Sequence, residues 1–226
     1  MANGFFSVPK ASCEKVLSYA PGSPERNEAK SEYKKMISKV IELPMIINGK
    51  KIKTKSKKNI YPPHDHKRIV GKCYYGNESH VKSAIESAKK AKGKWSKMPW
   101  EQRCSIFLKA ADLLAGPYRQ KINVATMINQ SKNIFQAEID AACELIDFMK
   151  FNVEFLTKIY SDQPENSVGV WNKMEYRPLE GFVFAITPFN FTSIAANLCI
   201  APALMGNTVI WKPSDNQTYS AKIIMD

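Results

Sequence analysis

The chain has 226 residues and a formal net charge of +12, and 44% of its residues are hydrophobic. This composition predicts one or two globular domains and excludes a chain too polar to form a packed core. No apolar run reaches the roughly 18 to 20 residues that a membrane-spanning helix requires, so we expect no membrane partner.

The first part of the chain predicts an extended arm followed by short strands. Residues 1–43 are polar and predict an irregular arm that leads to a short helix over 32–41. The dipeptide Asn48-Gly49 between two short apolar runs predicts a β-hairpin. The apolar run 69–74 predicts another strand.

The densest positive charge lies in the run 50–58, which holds six lysines. Lysines at this density are typical of a solvated edge strand, because they discourage pairing with other chains. The alternative is a patch that binds nucleic acid or an anionic surface. No nucleic-acid-binding motif accompanies the run, so we expect no nucleic-acid partner.

Apolar residues recur at helical spacing from residue 78 onwards, with lysines on the opposite face. Proline at 99 suits the first turn of a helix. The polar, proline-containing stretch 161–172 predicts a loop after the longest helix, 134–159. The predicted elements are a helix from 78, a helix from 99 to 116, helices over 118–130 and 134–159, a loop over 161–172 and a strand over 170–176.

The stretch 180–215 predicts a strand, a helix and a second strand. The apolar runs 182–186 and 208–211 are typical of buried strands, and the segment 191–205 between them has the length of a helix. Such a unit joins parallel strands by a right-handed crossover. The sequence therefore predicts an α/β fold.

Polar side chains follow both strands of this unit. Pro188 ends the first strand because it has no N–H to donate to a ladder, and Asn190 lies just beyond it. Lys212 follows the second strand. Ligands in open α/β sheets bind at the carboxyl ends of the strands, so we expect a ligand near Thr187, Asn190 and Lys212.

These residues resemble the aldehyde dehydrogenase superfamily. Residues 188–191, Pro-Phe-Asn-Phe, are similar to its Pro-aromatic-Asn-aromatic turn, and residues 212–214, Lys-Pro-Ser, to a segment after its next strand. Segments 19–26, 136–142 and 203–207 are similar to the branch that oxidises L-glutamate γ-semialdehyde with NAD. The similarity runs over essentially the whole chain, which looks like only the amino-terminal part of the family's chain.

The resemblance implies an incomplete parallel sheet wrapped by helices. Residues 1–43 are then an arm, and residues 44–226 are the amino-terminal part of an NAD-binding domain. The hairpin at 48–49 and a β segment near 160–180 are implied to serve bridging and oligomerisation, so we expect a homo-oligomer at full length. The catalytic domain lies outside the 226 residues, and we expect this chain alone to be inactive.

The resemblance also implies a catalytic role for Asn190. Its amide would donate to the oxyanion that forms when a cysteine thiolate attacks the aldehyde. Pro188 fixes the backbone there, and Phe189 and Phe191 flank the amide and can exclude water. The alternative is that Asn190 caps the following helix, and both roles could coexist.

By the same resemblance, NAD contacts Thr187, Pro188, Phe189, Lys212 and Ser214. The lysine ammonium offers three donors to ribose hydroxyls and phosphate oxygens; the alternative is an ordinary surface lysine at a strand end. The chain contains no Gly-x-Gly-x-x-Gly, which argues against a conventional dinucleotide fingerprint, but the resembled family does not use one. We expect no metal.

Two residues are implied to contact the substrate. Glu144 would lie near its α-ammonium group, where a charge-assisted hydrogen bond is strong, and Phe191 would form one wall of an aromatic slot around the aldehyde chain. The alternative for Glu144 is a solvated helix residue that pairs loosely with Lys150.

The covalent chemistry of the family is missing from this sequence. None of the five cysteines lies in its Gly-Gln-x-Cys-like context, and Cys143 and Cys199 predict inert buried thiols. The five thiols without a Cys-x-x-Cys pair, and the absence of a signal peptide pattern, predict the cytosol, or the mitochondrial matrix in a eukaryote. Another aldehyde dehydrogenase and a non-catalytic basic binding module remain as alternative functions.

Overall fold

The computed structural model describes residues 6–226. The helices are α1 (Pro24–Ile37), α2 (Glu78–Trp95), α3 (Trp100–Ala115), α4 (Arg119–Gln130), α5 (Ile134–Ala137), α6 (Leu145–Ser161), α7 (Thr192–Leu204) and α8 (Thr218–Met225). The strands are β1 (Ile41–Leu43), β2 (Met45–Ile47), β3 (Lys50–Ile52), β4 (Lys57–Ile60), β5 (Gly71–Tyr74), β6 (Val183–Ile186) and β7 (Val209–Lys212). None of the helices in this part of the chain is long and apolar enough to cross a membrane.

The strands form three small sheets. The hairpin of β2 and β3 is confirmed, and its turn residues Asn48 and Gly49 have the positive φ angles, 52° and 70°, that such a turn requires. The predicted strand 69–74 is confirmed as β5, which lies between β1 and β4. The predicted parallel pair is also confirmed, because β6 and β7 pair in parallel from Val183 with Val209 onwards.

The first helix differs from the prediction. It begins at Pro24 rather than near residue 32, because the Ser23 hydroxyl accepts a hydrogen bond from the Arg26 N–H and proline suits the first helical position. It ends at Ile37. Ile41 instead starts β1, where it pairs with Gly71 of β5.

The lysine run 50–58 extends over two separate strands. It covers β3 and the start of β4, which is an edge strand of its sheet, as the lysines predict. Two of its side chains form ion pairs across the surface: Lys53 with Glu42 at 3.2 Å and Lys58 with Asp215 at 2.9 Å. The run is therefore partly neutralised by neighbouring carboxylates.

Two strand predictions need correction. Residues 170–176 form no strand; a single bridge between Ser167 and Val170 is the only β pairing described there, and Trp171 is 86% exposed. The strand β6 does form, but its outer face is not buried, since Phe184 and Ile186 are 56% and 67% exposed. Helix α7 contacts both β6 and β7, and helix α2 also contacts β7.

The centre of the molecule is a long helix built from α5, a π-helical segment (Glu138–Glu144) and α6. The helical prediction for 134–159 is confirmed, whereas the π-helical turns were not predicted. Leu145 and Ile146 of this helix are fully buried and pack with Ile122 and Ala196 in the main apolar core. The helix thus fixes the position of the strand–helix–strand unit relative to α3 and α4.

The arm runs in the opposite direction along the long helix. Its backbone N–H groups at Ala11, Glu14 and Leu17 donate to the carboxylates of Glu154, Asp147 and Glu138, at 2.8, 2.7 and 2.9 Å. Three extended residues span about 10 Å, close to the rise of about seven helical residues, so every third N–H of the arm can meet a carboxylate. Residues 6–20 of the arm are irregular, as predicted, and the hydrogen bonds at Ala11, Glu14 and Leu17 hold this segment against the long helix.

Candidate functional site

The carboxyl ends of β6 and β7 lie side by side, as the sequence predicts. Ile186 pairs with Lys212 in register, and the Thr187 N–H donates to the Lys212 carbonyl at 3.3 Å. The Trp211 indole N–H donates to the buried Thr187 hydroxyl at 2.9 Å. Two of the predicted ligand residues are therefore neighbours, although they lie far apart in the chain.

The donors at this edge are available to a ligand. Lys212 is exposed and forms no ion pair with any of residues 6–226, because Asp215 pairs with Lys58 instead. Ser214 is half-buried just before the short 3-10 turn Asp215–Gln217. An ammonium and a hydroxyl at the carboxyl end of a parallel strand have the chemistry that ribose hydroxyls and phosphates require, so these residues fit a nucleotide.

The turn between β6 and α7 carries Pro188, Phe189 and Asn190. Pro188 is half-buried, Phe189 is 61% exposed, and Asn190 is exposed. The capping alternative for Asn190 is wrong. The N-cap residue of α7 is Phe191, and α7 has no capping hydrogen bond from the side chain of its N-cap residue. The Asn190 amide makes no hydrogen bond within the described chain and is free to donate to a ligand.

A carboxylate from the long helix provides the missing cap. Asp140, in the π-helical segment, is only 3% exposed and accepts the N–H groups of Thr192 and Ser193, each at 3.0 Å. It also accepts the Ser193 hydroxyl at 2.8 Å. A carboxylate at this position satisfies two N–H groups that have no partner inside the helix and also complements the helix dipole.

Lys132 neutralises this carboxylate and contacts the turn. Its ammonium lies 2.7 Å from Asp140 and 4.2 Å from the centre of the Phe191 ring, within the range of a cation–π interaction. The Phe191 carbonyl accepts the Gln217 side-chain amide at 2.5 Å. Ring and backbone of Phe191 are therefore both held.

Glu144 also reaches the start of α7. Its carboxylate lies 2.7 Å from the Ser193 hydroxyl, whose single proton is shared between Glu144 and Asp140. Glu144 is exposed, as the alternative of a solvated helix residue has it, but the pairing with Lys150 is wrong, because Lys150 binds Glu14 at 2.9 Å. Glu144 lines a shallow groove of about 310 Å³ whose other walls are mostly aromatic and amide side chains. Those further lining residues are Asp147, Phe148, Phe151, Asn152, Phe155 and Asn197.

The predicted inertness of two thiols agrees with the structure. Burial raises the pKa of both Cys143 and Cys199 to about 12 and the pKa of Cys104 to about 11. These raised pKa values keep the three thiols protonated near neutral pH. Because a thiol is nucleophilic only as the thiolate, they are unreactive there. Among residues 6–226 no group of His, Cys, Asp and Glu side chains could hold a metal ion.

The sequence did not identify the residues that support the turn. Asp140, Lys132, Ser193 and Gln217 carry no motif of their own. One signal was present: Asp140 is a charged residue directly before two alanines in a helix that packs in the core. A charge at such a position requires a partner, although the sequence cannot say which one.

Comparisons with known proteins agree on one family. The profile of the aldehyde dehydrogenase family matches residues 51–226. A Δ1-pyrroline-5-carboxylate dehydrogenase of Agaricus bisporus is 48% identical over 97% of this chain, and the mitochondrial one of Homo sapiens is 43% identical over 91%. The chain spans 40% and 37% of the lengths of these two relatives.

Solved structures give the same result. The Δ-pyrroline-5-carboxylate dehydrogenase of Mycobacterium tuberculosis bound with NAD and cobalamin has a TM-score of 0.98 and 48% identity, and the match covers all of this chain and 42% of that one. A 1-pyrroline-5-carboxylate dehydrogenase from Thermus with bound NAD has a TM-score of 0.87 and 25% identity, over 97% of this chain and 43% of that one.

Proposed function

The chain belongs to the aldehyde dehydrogenase family, and we propose that it supplies the NAD-binding part of an enzyme that oxidises L-glutamate γ-semialdehyde to L-glutamate. This aldehyde is the open-chain form of 1-pyrroline-5-carboxylate, so the reaction belongs to proline breakdown. The observation that carries the proposal is the free amide of Asn190, held at a fixed turn beside the carboxyl ends of two parallel strands.

NAD is the proposed cofactor and accepts the hydride of the reaction. Lys212 and Ser214 would bind its ribose and phosphate oxygens, because both lie at the carboxyl end of β7 and the ammonium has no ion-pair partner among residues 6–226. Thr187, Pro188 and Phe189 would line the cofactor from the end of β6. Two relatives with similar folds are described as bound with NAD, which supports this choice.

Asn190 is the proposed oxyanion donor. Electrostatic stabilisation is strongest when a donor already points at the position where charge develops. The turn favours this condition, because Pro188 restricts the backbone on one side of Asn190 and the first turn of α7 is fixed on the other side. The amide then needs no large rearrangement to donate.

Glu144 is proposed to select the amino-acid aldehyde. Its carboxylate borders the aromatic groove and is held in place by the Ser193 hydroxyl. It would accept a charge-assisted hydrogen bond from the α-ammonium of the substrate. Phe191 does not line this groove; its proposed role as one wall of the slot around the aldehyde-bearing chain rests on its position directly after Asn190.

The nucleophile is proposed to come from the part of the relatives' length that this chain does not span. The buried cysteines have raised pKa values, and none has the sequence context of the family's nucleophile. Homo-oligomer formation is proposed through the hairpin β2–β3 and the region 160–180, whose Trp171 is 86% exposed. The proposed compartment is the cytosol, or the mitochondrial matrix in a eukaryote; the Dictyostelium and human relatives are described as mitochondrial.

The test uses the full-length protein that carries these 226 residues, or a chimera with the remainder of the Mycobacterium tuberculosis relative. We expect NADH formation from glutamate semialdehyde, with a higher kcat/KM than for a simple aldehyde of the same length. Equal kcat/KM values would favour another aldehyde as the substrate. Failure to form NADH with any aldehyde would refute the dehydrogenase function.

The 226-residue chain by itself provides the matching control. We expect it to form no NADH, because none of its cysteines has the sequence context of the family's nucleophile, and to be poorly soluble, because Phe184 and Ile186 leave apolar side chains of the sheet exposed. Hydride transfer by this purified chain would contradict the assignment of the nucleophile to another part of the protein.

A further inference from the structure

Asp140 lies behind the turn that carries Asn190, and we propose that it is a positioning residue for that amide. This inference rests on the proposed function, since it assumes that Asn190 serves the oxyanion. Asp140 does not touch the reacting atoms. It acts through Thr192 and Ser193, the first two residues of α7, which follow Asn190 closely in the chain.

The hydrogen bonds of Asp140 fix that first turn in both position and direction. One carboxylate oxygen accepts the Ser193 N–H and shares the Ser193 hydroxyl proton with Glu144, and the other accepts the Thr192 N–H and pairs with Lys132. Both Thr192 and Ser193 are fully buried. No other described side chain accepts these two N–H groups, so the backbone that follows Asn190 depends on this carboxylate.

The Thr192 side chain shows that the first turn is held from a second side. Its hydroxyl lies 2.8 Å from the Thr126 hydroxyl and accepts the Gln130 side-chain amide at 2.7 Å. These contacts come from α4, whereas Asp140 comes from the π-helical segment. Removing Asp140 should therefore shift the turn rather than unfold it, because the contacts from α4 remain.

Lys132 neutralises the negative charge of Asp140 behind the turn. An unpaired carboxylate at the start of α7 would oppose negative charge that develops nearby on an oxyanion. The ammonium of Lys132, 2.7 Å from Asp140 and only 16% exposed, cancels this charge while its cation–π contact with Phe191 orders the neighbouring ring. The pair thus orders the turn and adds no net charge to the site.

The test is a double-mutant cycle in the full-length protein. Asp140→Asn keeps the size of the side chain but presents an NH2 group to an N–H or ammonium donor, so the turn should move. We expect kcat to fall about 10- to 100-fold, as for a misplaced catalytic group, with the KM for NAD changed less than about twofold. In the Asn190→Ala background the same substitution should change kcat less than about threefold, because the group it positions is already gone.

A matched control and a second variant keep the result interpretable. Glu154 also accepts a backbone N–H and pairs with a lysine, Lys158, but it faces the arm; Glu154→Gln should leave kcat unchanged. Lys132→Gln keeps a donor to Asp140 and should lower kcat about fivefold, because the charge on Asp140 is no longer cancelled. Its melting temperature should fall as well, because the buried Asp140 carboxylate loses its charged partner, so kcat is measured per folded enzyme. This variant leaves the N–H contacts of Asp140 in place and therefore tests the charge separately from Asp140→Asn.

Two outcomes separate this inference from the proposed function. Losses that multiply fully in the cycle would overturn the inference alone, because Asp140 would then act independently of Asn190. Absence of activity in the unsubstituted full-length protein would overturn the proposed function and the inference with it.

Discussion

The long central helix has two sets of carboxylates that bind different segments of the chain. One set, formed by Glu138, Asp147 and Glu154, accepts backbone N–H groups of the arm. The other set, Asp140 and Glu144, accepts N–H and hydroxyl groups at the start of α7. The same chemical group therefore stabilises the fold on one side of the helix and prepares the proposed site on the other.

The arm side contains the most completely buried charge. Glu138 has no exposed surface and accepts the Tyr19 hydroxyl, the Asn123 amide and the Leu17 N–H, besides its ion pair with Arg119. Burial alone would raise the pKa of Glu138, but hydrogen bonds led by that from Arg119 outweigh it and hold the pKa below its usual value. The comparison predicts that substitution of a carboxylate on the arm side lowers the free energy of unfolding and leaves kcat unchanged.

The largest expected effect is that of Glu138→Ala. Arg119 keeps its pair with Glu14 at 2.9 Å but loses its most buried partner, and the Leu17 N–H, the Tyr19 hydroxyl and the Asn123 amide lose their acceptor. We expect a loss of about 3–5 kcal/mol of unfolding free energy. Urea denaturation measures this loss, and kcat per folded enzyme should stay near that of the unsubstituted protein. A fall in kcat with unchanged stability would contradict the division between the two sides.

The pH dependence of stability sharpens the same point. Because the folded pKa of Glu138 is lowered, its stabilisation is fully present above the unfolded pKa of about 4.3 and is lost as the pH falls through the folded value. Lowering the pH from about 5 to about 3 should therefore destabilise the unsubstituted protein more than Glu138→Ala. Parallel losses in the two proteins would contradict the lowered pKa.

On the site side, Asn190→Ala should have the next largest effect. Loss of one oxyanion donor lowers kcat about 100- to 1,000-fold, or about 2.7–4 kcal/mol of transition-state stabilisation. The melting temperature should hardly change, because the Asn190 side chain makes no hydrogen bond that holds the described fold. Steady-state kinetics and calorimetric melting of the same sample separate the two quantities. A large stability loss with normal turnover would restore a structural role for Asn190.

Glu144→Gln should act on substrate choice. The substitution removes the charged partner proposed for the α-ammonium and should lower kcat/KM for glutamate semialdehyde by about 1–3 kcal/mol. A simple aldehyde without the ammonium should react as before, because the oxygen of the new amide can still accept the Ser193 hydroxyl. Equal losses for both aldehydes would show a general structural effect, and no loss for either would remove Glu144 from the substrate site.

The smallest expected effect is that of Lys212→Ala. Its exposed ammonium makes hydrogen bonds in contact with water, so its removal should weaken NAD binding only about fivefold. Calorimetric titration with NAD measures this change, and the KM for the aldehyde should change less. Unchanged NAD affinity would exclude Lys212 from the cofactor site.

The part of the site that depends on strand pairing could be predicted from the sequence. Two apolar runs separated by a helix-sized segment imply parallel strands, and the ends of such strands must lie together; this brings Thr187 beside Lys212. Asp140 could not be predicted in the same way. Its partners lie 52 and 53 residues further along the chain, and the π-helical turns change which residues of the helix share a face.

The failed strand prediction has a different cause. Residues 170–176 have the composition of a strand, but a strand forms only where another one can pair with it. Within residues 6–226 the single bridge from Ser167 to Val170 is the pairing found there. Local composition therefore predicted the helices from residue 78 onwards correctly and this strand wrongly, because a helix satisfies its own backbone and a strand does not.

The π-helical segment makes the number of residues in the long helix as important as their identity. A π-helical turn holds more residues than an α-helical turn, because its hydrogen bonds reach one residue further along the chain. Deleting one residue from 141–143 would therefore let an ordinary α-helix form while α5 and α6 keep nearly the same relative orientation.

Such a deletion would affect the two sides of the helix unequally. Asp147 and Glu154 lie in α6 and would still face the arm, whereas Glu138 and Asp140 both lie inside the segment and would change direction, Asp140 away from the N–H groups of Thr192 and Ser193. An insertion within α6 would do the reverse, since each added residue turns the following carboxylates by about 100° around the helix axis. Changes in chain length can thus separate the arm contacts made by α6 from the support of the turn, which substitutions of single carboxylates do only one contact at a time.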